Sequence, residues 1–360
     1  MKKILIGVNG WGRGHSTRCD VIGRQLIELG YDVKFLTDFQ GYEYLCLRYS
    51  SSQVIKVRSY RPLIIGESIN APINVFVAVF FKLFSLPLIT KKALRSIKDW
   101  QPDVIITDAE LVTAKFAKKL KIPCIYLSSV SFMTYCKLPF KLSFLQKSYL
   151  YLFNWILSDC ANASLIIISK MSKLQLKEDI KDNVHLLDVF LRPELKQNPW
   201  KPQSTHILTY LRGTYIKRVL QELEMVGKQM NRKIFVYGIE DRKNTAYLVF
   251  KPISNQHFIE DMLTADYVIS TSGNQIIGEL AYLGVPSLLL PEIGQFEQEF
   301  NATLASSFYT NMKTGDLKTI TTSGIIKKLG SLKEKSHPYL KDNAEKAVAL
   351  IVDFIEHPAS

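Results

Sequence analysis

The chain lacks most of the features that would sort it quickly. Cysteine is scarce: Cys19, Cys46, Cys124, Cys136 and Cys160 form no C-x-x-C pair and no even framework. That excludes a disulfide scaffold and a cysteine-built zinc site, and reads as reduced, intracellular and structural. There is no low-complexity tract and no short repeat. Long apolar runs are missing too. The opening Met1-Lys2-Lys3-Ile4-Leu5-Ile6-Gly7-Val8 is broken at once by Asn9-Gly10. It is too short for a signal peptide, so a first buried strand and a cytoplasmic location are expected. The apolar stretch from Ile73 to Ile89 is interrupted by Asn74, Lys82, Ser85 and Pro87. It is expected to be too broken to span a bilayer about 30 Å thick.

Negative charge is also absent over a long stretch. Between Glu110 and Asp159 there is no acidic residue, while Lys115, Lys118, Lys119, Lys121, Lys137, Lys141 and Lys147 fall there among Phe132, Phe140, Phe144, Tyr149, Tyr151, Phe153 and Trp155. Basic plus aromatic fits nucleic acid, an anionic membrane surface, or a buried core helix with solvated lysines. No RNP, KH or zinc-finger pattern accompanies it, so no nucleic-acid partner is expected. The core helix and the membrane surface both stay open.

What is present is globular. With 360 residues, 47% hydrophobic and 22% charged, and a net charge of +13, the chain is long enough for two cores. Ile4–Val8, Val33–Leu36, Val104–Thr107, Cys124–Leu127 and Leu165–Ser169 are short continuous apolar runs separated by helix-length segments. Such runs predict strands of a parallel sheet covered on both faces. A helix is expected from about Ser16 to Leu29, closed by Gly30. A proline-punctuated stretch, Pro193 to Pro202, precedes a second series: Ile207–Leu211, Lys233–Tyr237, Tyr247–Phe250, Tyr267–Ser270 and Ser287–Leu290. The expected fold class is α/β, two doubly wound Rossmann-like domains facing a central cleft. The expected boundaries are 1–195, a linker 196–204, 205–338, and a C-terminal helix within 339–360 that packs back across the hinge.

Two segments carry the chemistry. The first, Gly7-Val8-Asn9-Gly10-Trp11-Gly12-Arg13-Gly14-His15-Ser16-Thr17-Arg18, lies where the first strand turns into the first helix. Glycines there allow positive φ and close approach of a ligand. The dinucleotide fingerprint G-x-G-x-x-G lacks its third glycine, although Asp38 at the end of the second strand keeps an NAD-dependent oxidoreductase open. His15 can take a proton from an attacking hydroxyl, or it is a satisfied loop histidine. Asp108 ends another strand on the same edge, where it either orients His15 or caps a helix. Asp108 with Glu110 also resembles a metal-binding carboxylate pair, but without a histidine cluster no metal is expected. The second segment runs from Phe258 to Ala302. Ser272-Gly273 follows a strand and opens a helix, so its free N–H groups and dipole suit a diphosphate. Glu279, two turns on, suits ribose hydroxyls, while Glu297 and Gln298 suit sugar hydroxyls.

These residues together resemble the GT-B glycosyltransferases related to the N-acetylglucosaminyltransferase that makes lipid II, and the bacterial and archaeal group with a G-x-G-H-x-x-R loop. Gly12-Arg13-Gly14-His15-Ser16-Thr17-Arg18 matches that loop, and Phe258 to Ala302 matches the donor site. The resemblance implies a metal-independent, cofactor-free hexosyltransferase that uses a nucleotide diphosphate sugar, a UDP-sugar by preference. Its acceptor would be a hydroxyl, with lipid-linked cell-envelope glycan precursors in range, and it would work in the cytoplasm or on the inner face of the membrane. His15 and Asp108 would be catalytic. Gly14, Arg18 and Arg212 would serve the donor, the Phe258-Ile259 backbone would read uracil, and Ser272, Gly273 and Asn274 would meet the diphosphate. Glu279 would hold ribose, with Glu297 and Gln298 on the sugar. Two departures stand out. Leu211-Arg212-Gly213-Thr214 replaces paired glycines, and Ile276 stands where relatives can carry a hydroxyl. Two rivals share the pattern: a nucleotide-sugar hydrolase of the same fold, and a non-catalytic sugar-nucleotide binder or membrane scaffold.

Overall fold

The computed structural model describes residues 1–65, 68–69, 71–97, 99–212, 216–239, 242–252, 254–333 and 339–357. It divides into two compact units. One comprises Met1–Pro62, Pro72–Arg192 and Asp342–Ser360, and the other Leu63–Ala71 and Pro193–Lys341. Gly213 and Thr214 lie outside the described residues.

The first unit is built on β1 (Lys3–Val8), β2 (Asp32–Thr37), β3 (Val54–Lys56), β4 (Val104–Asp108), β5 (Cys124–Ser128), β6 (Leu165–Ser169) and β7 (Val184–Leu187). They form one sheet in the order β3-β2-β1-β4-β5-β6-β7, parallel throughout. Every residue of β4, β5 and β6 is buried, which is why these strands read as continuous apolar runs instead of alternating ones. The strand order reverses between β1 and β4, so the loops leaving their C-terminal ends part to opposite faces and open a crevice. The register sets Val8 beside Asp108 at that edge.

Helix α1 (Arg13–Glu28) starts three residues earlier than its sequence pattern suggests, which puts His15 inside its first turn. Gly30 lies just past its end at φ 88°, in the left-handed region that closes helices.

The stretch from Ile73 is not interrupted. Ile73–Ser96 is one helix, and by length and composition it can cross a membrane. Lys82 and Ser85 lie in a π turn, Phe81–Ser85, and Pro87 sits in the first turn of the α segment that follows. Buried positions recur at Asn74, Ala78, Phe81, Leu86, Thr90 and Ala93. The five-residue step from Phe81 to Leu86 matches the wider π turn, which keeps the buried stripe on one side. That side packs against the helix Leu111–Leu120. The other side leaves Phe76 (71%), Phe80, Leu83, Phe84 and Leu88 (72%) exposed.

Nor is Phe144–Ile156 a core helix: none of its residues is fully buried, and Phe144, Leu145 and Tyr151 are about four-fifths exposed. Lys82 reaches its end and donates to the carbonyls of Trp155 and Ile156 (2.9 Å) and to the Ser158 hydroxyl (2.9 Å). A cation at a helix C-terminus meets the negative end of the dipole. This joint ties the C-terminal end of that helix to the π turn of Ile73–Ser96.

The second unit repeats the plan with β8 (His206–Tyr210), β9 (Lys233–Tyr237), β10 (Leu248–Phe250), β11 (Tyr267–Ser270), β12 (Ser287–Leu289) and β13 (Met312–Thr314). The order is β10-β9-β8-β11-β12-β13, again parallel, and it reverses between β8 and β11. Its core gathers Ile207, Val219, Leu223, Val236, Ile269 and Leu288. Helix α2 (Asn274–Leu283) leaves β11, and α3 (Phe296–Phe308) follows β12. The stretch expected as a linker is held to this unit: Trp200 Nε1 donates to Ala265 O (2.8 Å) and Lys201 N to Leu263 O (2.8 Å). The last helix, α4 (Ala344–Glu356), buries Ala344, Ala347, Val348, Ile351 and Ile355 in the core of the first unit beside Ile4 and Leu26.

Candidate active site

The loop after β1 is held on both sides. Asn9 donates from its side chain to Ala109 O (3.2 Å), and its Oδ1 accepts from Trp11 N (2.9 Å). Gly12 N donates to the Gln40 side chain (3.0 Å). A Cβ at Gly10 would lie 2.2 Å from the carbonyl oxygen of Asp38, so the loop runs closer to β2 than any side chain permits. Gly12 turns into α1 at φ 85°, a conformation natural to glycine alone. The chain therefore enters α1 with Gly14 and His15 in the first turn, beside the end of β4.

His15, Arg18 and Asp108 meet there. His15 Nδ1 lies 2.9 Å from Asp108 Oδ1. Arg18 donates from Nε to Oδ2 (3.0 Å) and from Nη2 to Oδ1 (2.8 Å) and Oδ2 (2.6 Å). Asp108 is fully buried, and Arg18 is 1% exposed. Burial alone would raise the Asp108 carboxyl, but Arg18 and His15 beside it outweigh that and hold it below the ordinary carboxylate range. An ionised carboxylate only accepts hydrogen bonds, so the imidazole hydrogen sits on Nδ1. With its hydrogen given to Asp108, the same nitrogen has no lone pair left to accept from Arg18 Nη2, which lies 3.2 Å away. Nε2 keeps its lone pair, and among the described residues nothing bonds to it.

The neighbouring Glu110 settles two open points. It is the N-cap of Leu111–Leu120, accepting from Val112 N (3.1 Å) and Thr113 N (2.7 Å), and from the Ser59 hydroxyl (3.1 Å). The helix is capped by Glu110 and not by Asp108. Both Glu110 oxygens are occupied, so Asp108 and Glu110 do not form an open carboxylate pair.

In the second unit the loops after β8, β11 and β12 are tied through Glu292. Its Oε1 accepts from Arg212 Nε (2.8 Å) and Gln298 Nε2 (3.0 Å). The Gln298 carbonyl accepts from Glu292 N (3.0 Å) and Ser272 N (3.3 Å), and Asn301 donates to Ser272 O (3.0 Å). Glu292 holds Arg212 protonated even though burial works against the charge. Ser272 N is thus committed internally, and its hydroxyl is fully buried with no partner among the described residues. Gly273 is the N-cap of α2 without a side-chain bond. The positive end of the α2 dipole lies at this cap.

Glu279 is buried one turn beyond Gln275, whose side chain donates to it (3.0 Å). Phe258 and Ile259 lie within a helix, Asn255–Thr264, with Phe258 N already bonded to Ser254 O (3.0 Å). What Phe258 offers outward is its ring, edge-on to Tyr210 (5.8 Å) and Tyr237 (5.2 Å). Glu297 and Gln298 open α3; Glu297 is partly exposed and Gln298 is buried.

The sequence places His15, Arg18 and Asp108 on one edge, and the structure brings them into contact. It also gathers Arg212, Ser272 and Gln298. It does not leave Arg18 facing a donor, since its guanidinium is clamped on Asp108. Glu292, which connects the second cluster, went unnoticed: a single glutamate in Pro291-Glu292-Ile293-Gly294 carries no pattern of its own.

Known proteins resemble this chain in sequence and in fold. A curated, uncharacterised glycosyltransferase of Methanosarcina acetivorans is 22% identical over 84% of this chain and 83% of its own length. The UDP-N-acetylglucosamine--N-acetylmuramyl-(pentapeptide) pyrophosphoryl-undecaprenol N-acetylglucosamine transferase of Rickettsia felis is 25% identical over 84% and 83%. Among solved structures, the calicheamicin glycosyltransferase CalG4 superposes with a TM-score of 0.68 at 12% identity, covering 100% of both chains. MurG of Acinetobacter baumannii superposes with a TM-score of 0.56 at 16% identity, covering 98% of this chain and 100% of its own. Both share the GT-B fold. The sequence profile described as Glycosyl transferase family 1 matches residues 2–329, and this chain belongs to that family.

Proposed function

We propose that this glycosyltransferase moves a sugar from a nucleotide diphosphate, UDP in the first instance, to an acceptor hydroxyl without a metal ion. The observation that carries the reading is His15, with Nδ1 on Asp108 and Nε2 bare. The acceptor hydroxyl gives its proton to Nε2 as its oxygen attacks the anomeric carbon. The bond from that carbon to the diphosphate oxygen breaks, and UDP leaves with the electron pair. The leaving charge falls to the positive end of the α2 dipole at Gly273 and Asn274, with Ser272 and Arg212 beside them. Glu279 holds ribose, the Phe258 ring bounds the base with Ile259 buried beside it, and Glu297 attends the sugar while the buried Gln298 holds the loops after β11 and β12 together. Gly14 keeps the first turn of α1 open to a ligand.

The acceptor in this reading is lipid-linked, as the name of the Rickettsia felis relative says of that enzyme. Support comes from the exposed ridge of Phe76, Phe80, Phe84 and Leu88, and from exposed Phe144 and Leu145, together with exposed Lys91, Lys92 and Arg95. An apolar face with adjoining lysines suits the inner, anionic face of a membrane. The protein then works as a cytoplasmic enzyme bound peripherally.

Calorimetric titration with UDP, with and without EDTA, and in parallel with GDP, dTDP and NAD, tests the donor. Binding of UDP that survives EDTA is expected. Binding of NAD alone, or of no nucleotide, sinks the reading. Release of UDP from a UDP-sugar with water as the sole acceptor would turn it into a hydrolase.

A further inference from the structure

Arg18 follows His15 by three residues on α1, so both project to the same side of the helix. It is almost completely buried, and it bonds both oxygens of Asp108. A histidine and an aspartate need no such third member to exchange a proton. A buried carboxylate needs one cation for neutrality, and here the cation is held in a planar fork that fixes the carboxylate plane as well as its charge.

We infer that Arg18 is a positioning residue for proton transfer: by gripping both oxygens of Asp108 it aims Oδ1 at His15 Nδ1 and locks the imidazole in the tautomer that leaves Nε2 bare. The inference rests on the reading of His15 as the base. Arg18 touches neither substrate; it acts through Asp108.

The groups facing Asp108 are His15, Arg18 and Cys19 on α1 and Tyr126 on β5. Burial pushes the Cys19 thiol and the Tyr126 phenol up, so both stay neutral. Arg18 and His15 are therefore the partners that hold the carboxylate ionised.

The test is NMR of the full-length chain carrying nitrogen-labelled histidine, with the His15 signal assigned by His15→Gln. Neutral wild-type His15 is expected to carry its hydrogen on Nδ1. Arg18→Gln should give a mixture of tautomers, as the Asp108 carboxylate then loses the fork that fixes its plane. Arg18→Lys keeps the cation without the fork, so it should also lose the single tautomer. Wild-type His15 protonated on Nε2 overturns the inference before any variant is made. So does either variant that keeps the single wild-type tautomer. If Arg18→Gln fails to fold, the wild type and Arg18→Lys decide. UDP titration of the same wild-type sample separates the two readings: no UDP binding, with the Nδ1 tautomer locked, sinks the donor assignment and leaves the role of Arg18 standing.

Discussion

Glu292 serves two partners with one oxygen. Arg212 and Gln298 both donate to Oε1, while Oε2 is buried with no partner among the described residues. Removing the carboxylate strips Arg212 of its counter-charge and leaves the Gln298 amide without an acceptor. Glu292→Ala should therefore lower stability by about 2–4 kcal/mol, since breaking a mostly buried charge-assisted pair leaves polar groups unsatisfied. Glu292→Gln keeps an acceptor oxygen in place and should lose less than half of that. Urea unfolding of both variants checks the order, and equal losses would mean that volume, not hydrogen bonding, is what Glu292 supplies. Glu279 gives a second residue-scale prediction. Glu279→Ala should weaken UDP binding about tenfold, the size of one charge-assisted bond to a hydroxyl, and titration with UDP beside UMP measures it. Unchanged affinity would move the ribose site elsewhere.

At the scale of elements, the helices on either side of Lys82 carry the apolar surface of the first unit. Phe76, Phe80, Phe84 and Leu88 contribute nothing to the core, so replacing them by serine should leave the unfolding midpoint unchanged. The same variant should lose about tenfold or more in sedimentation with anionic vesicles, because partial burial of each side chain is worth about 0.5–1 kcal/mol. A fall in stability instead would show these side chains to be packed. The sequence made this surface hard to see. Ile73 to Ile89 reads as broken because a π turn, which realigns the buried stripe across Lys82 and Ser85, leaves no signature in hydropathy. Phe144–Ile156 reads as core because an apolar run does not say what covers it. The central strands were legible for the opposite reason: burial on both faces leaves only apolar residues to use. The edge strands Val54–Lys56, Val184–Leu187 and Met312–Thr314 have mixed exposure and too few residues for a pattern. In the site, spacing exposed His15 and Asp108, whereas the clamp by Arg18 depends on side-chain direction that no spacing reveals.

For the whole molecule, charge divides unequally between the two units, and acid should expose the division. Asp38, Asp108 and Asp159 all belong to the first unit. Burial would raise each carboxyl, but nearby cations win: Arg61 with the N–H groups of Phe39 and Ser59 at Asp38, Arg18 and His15 at Asp108, and Lys118, Lys115 and Lys82 at Asp159. A carboxyl held below its unfolded value adds stability that is complete above that value, about 3.9, and is lost as pH falls through the folded one. Glu110 in the first unit and Glu299 in the second are raised, chiefly by burial, and act in the reverse sense: their contribution is kept in acid and lost as pH climbs. With the exposed Glu356, lowered beside Tyr31 and Lys2, four depressed carboxyls against one raised in the first unit, with one raised in the second, predict that the first unit weakens first as pH drops from about 5 to 3. Tryptophan separates the signals, since Trp11, Trp100 and Trp155 lie in the first unit and Trp200 in the second. In Trp200→Phe the urea midpoint read by fluorescence should fall over that range. With the other three replaced by phenylalanine, the Trp200 midpoint should fall less, by what keeping His206 buried as the neutral imidazole costs in acid. Arg61→Met, which returns Asp38 toward its ordinary value, should flatten the fall in the first unit. An equal fall in both units, indifferent to Arg61, would trace acid sensitivity to the overall positive charge instead of to these ion pairs.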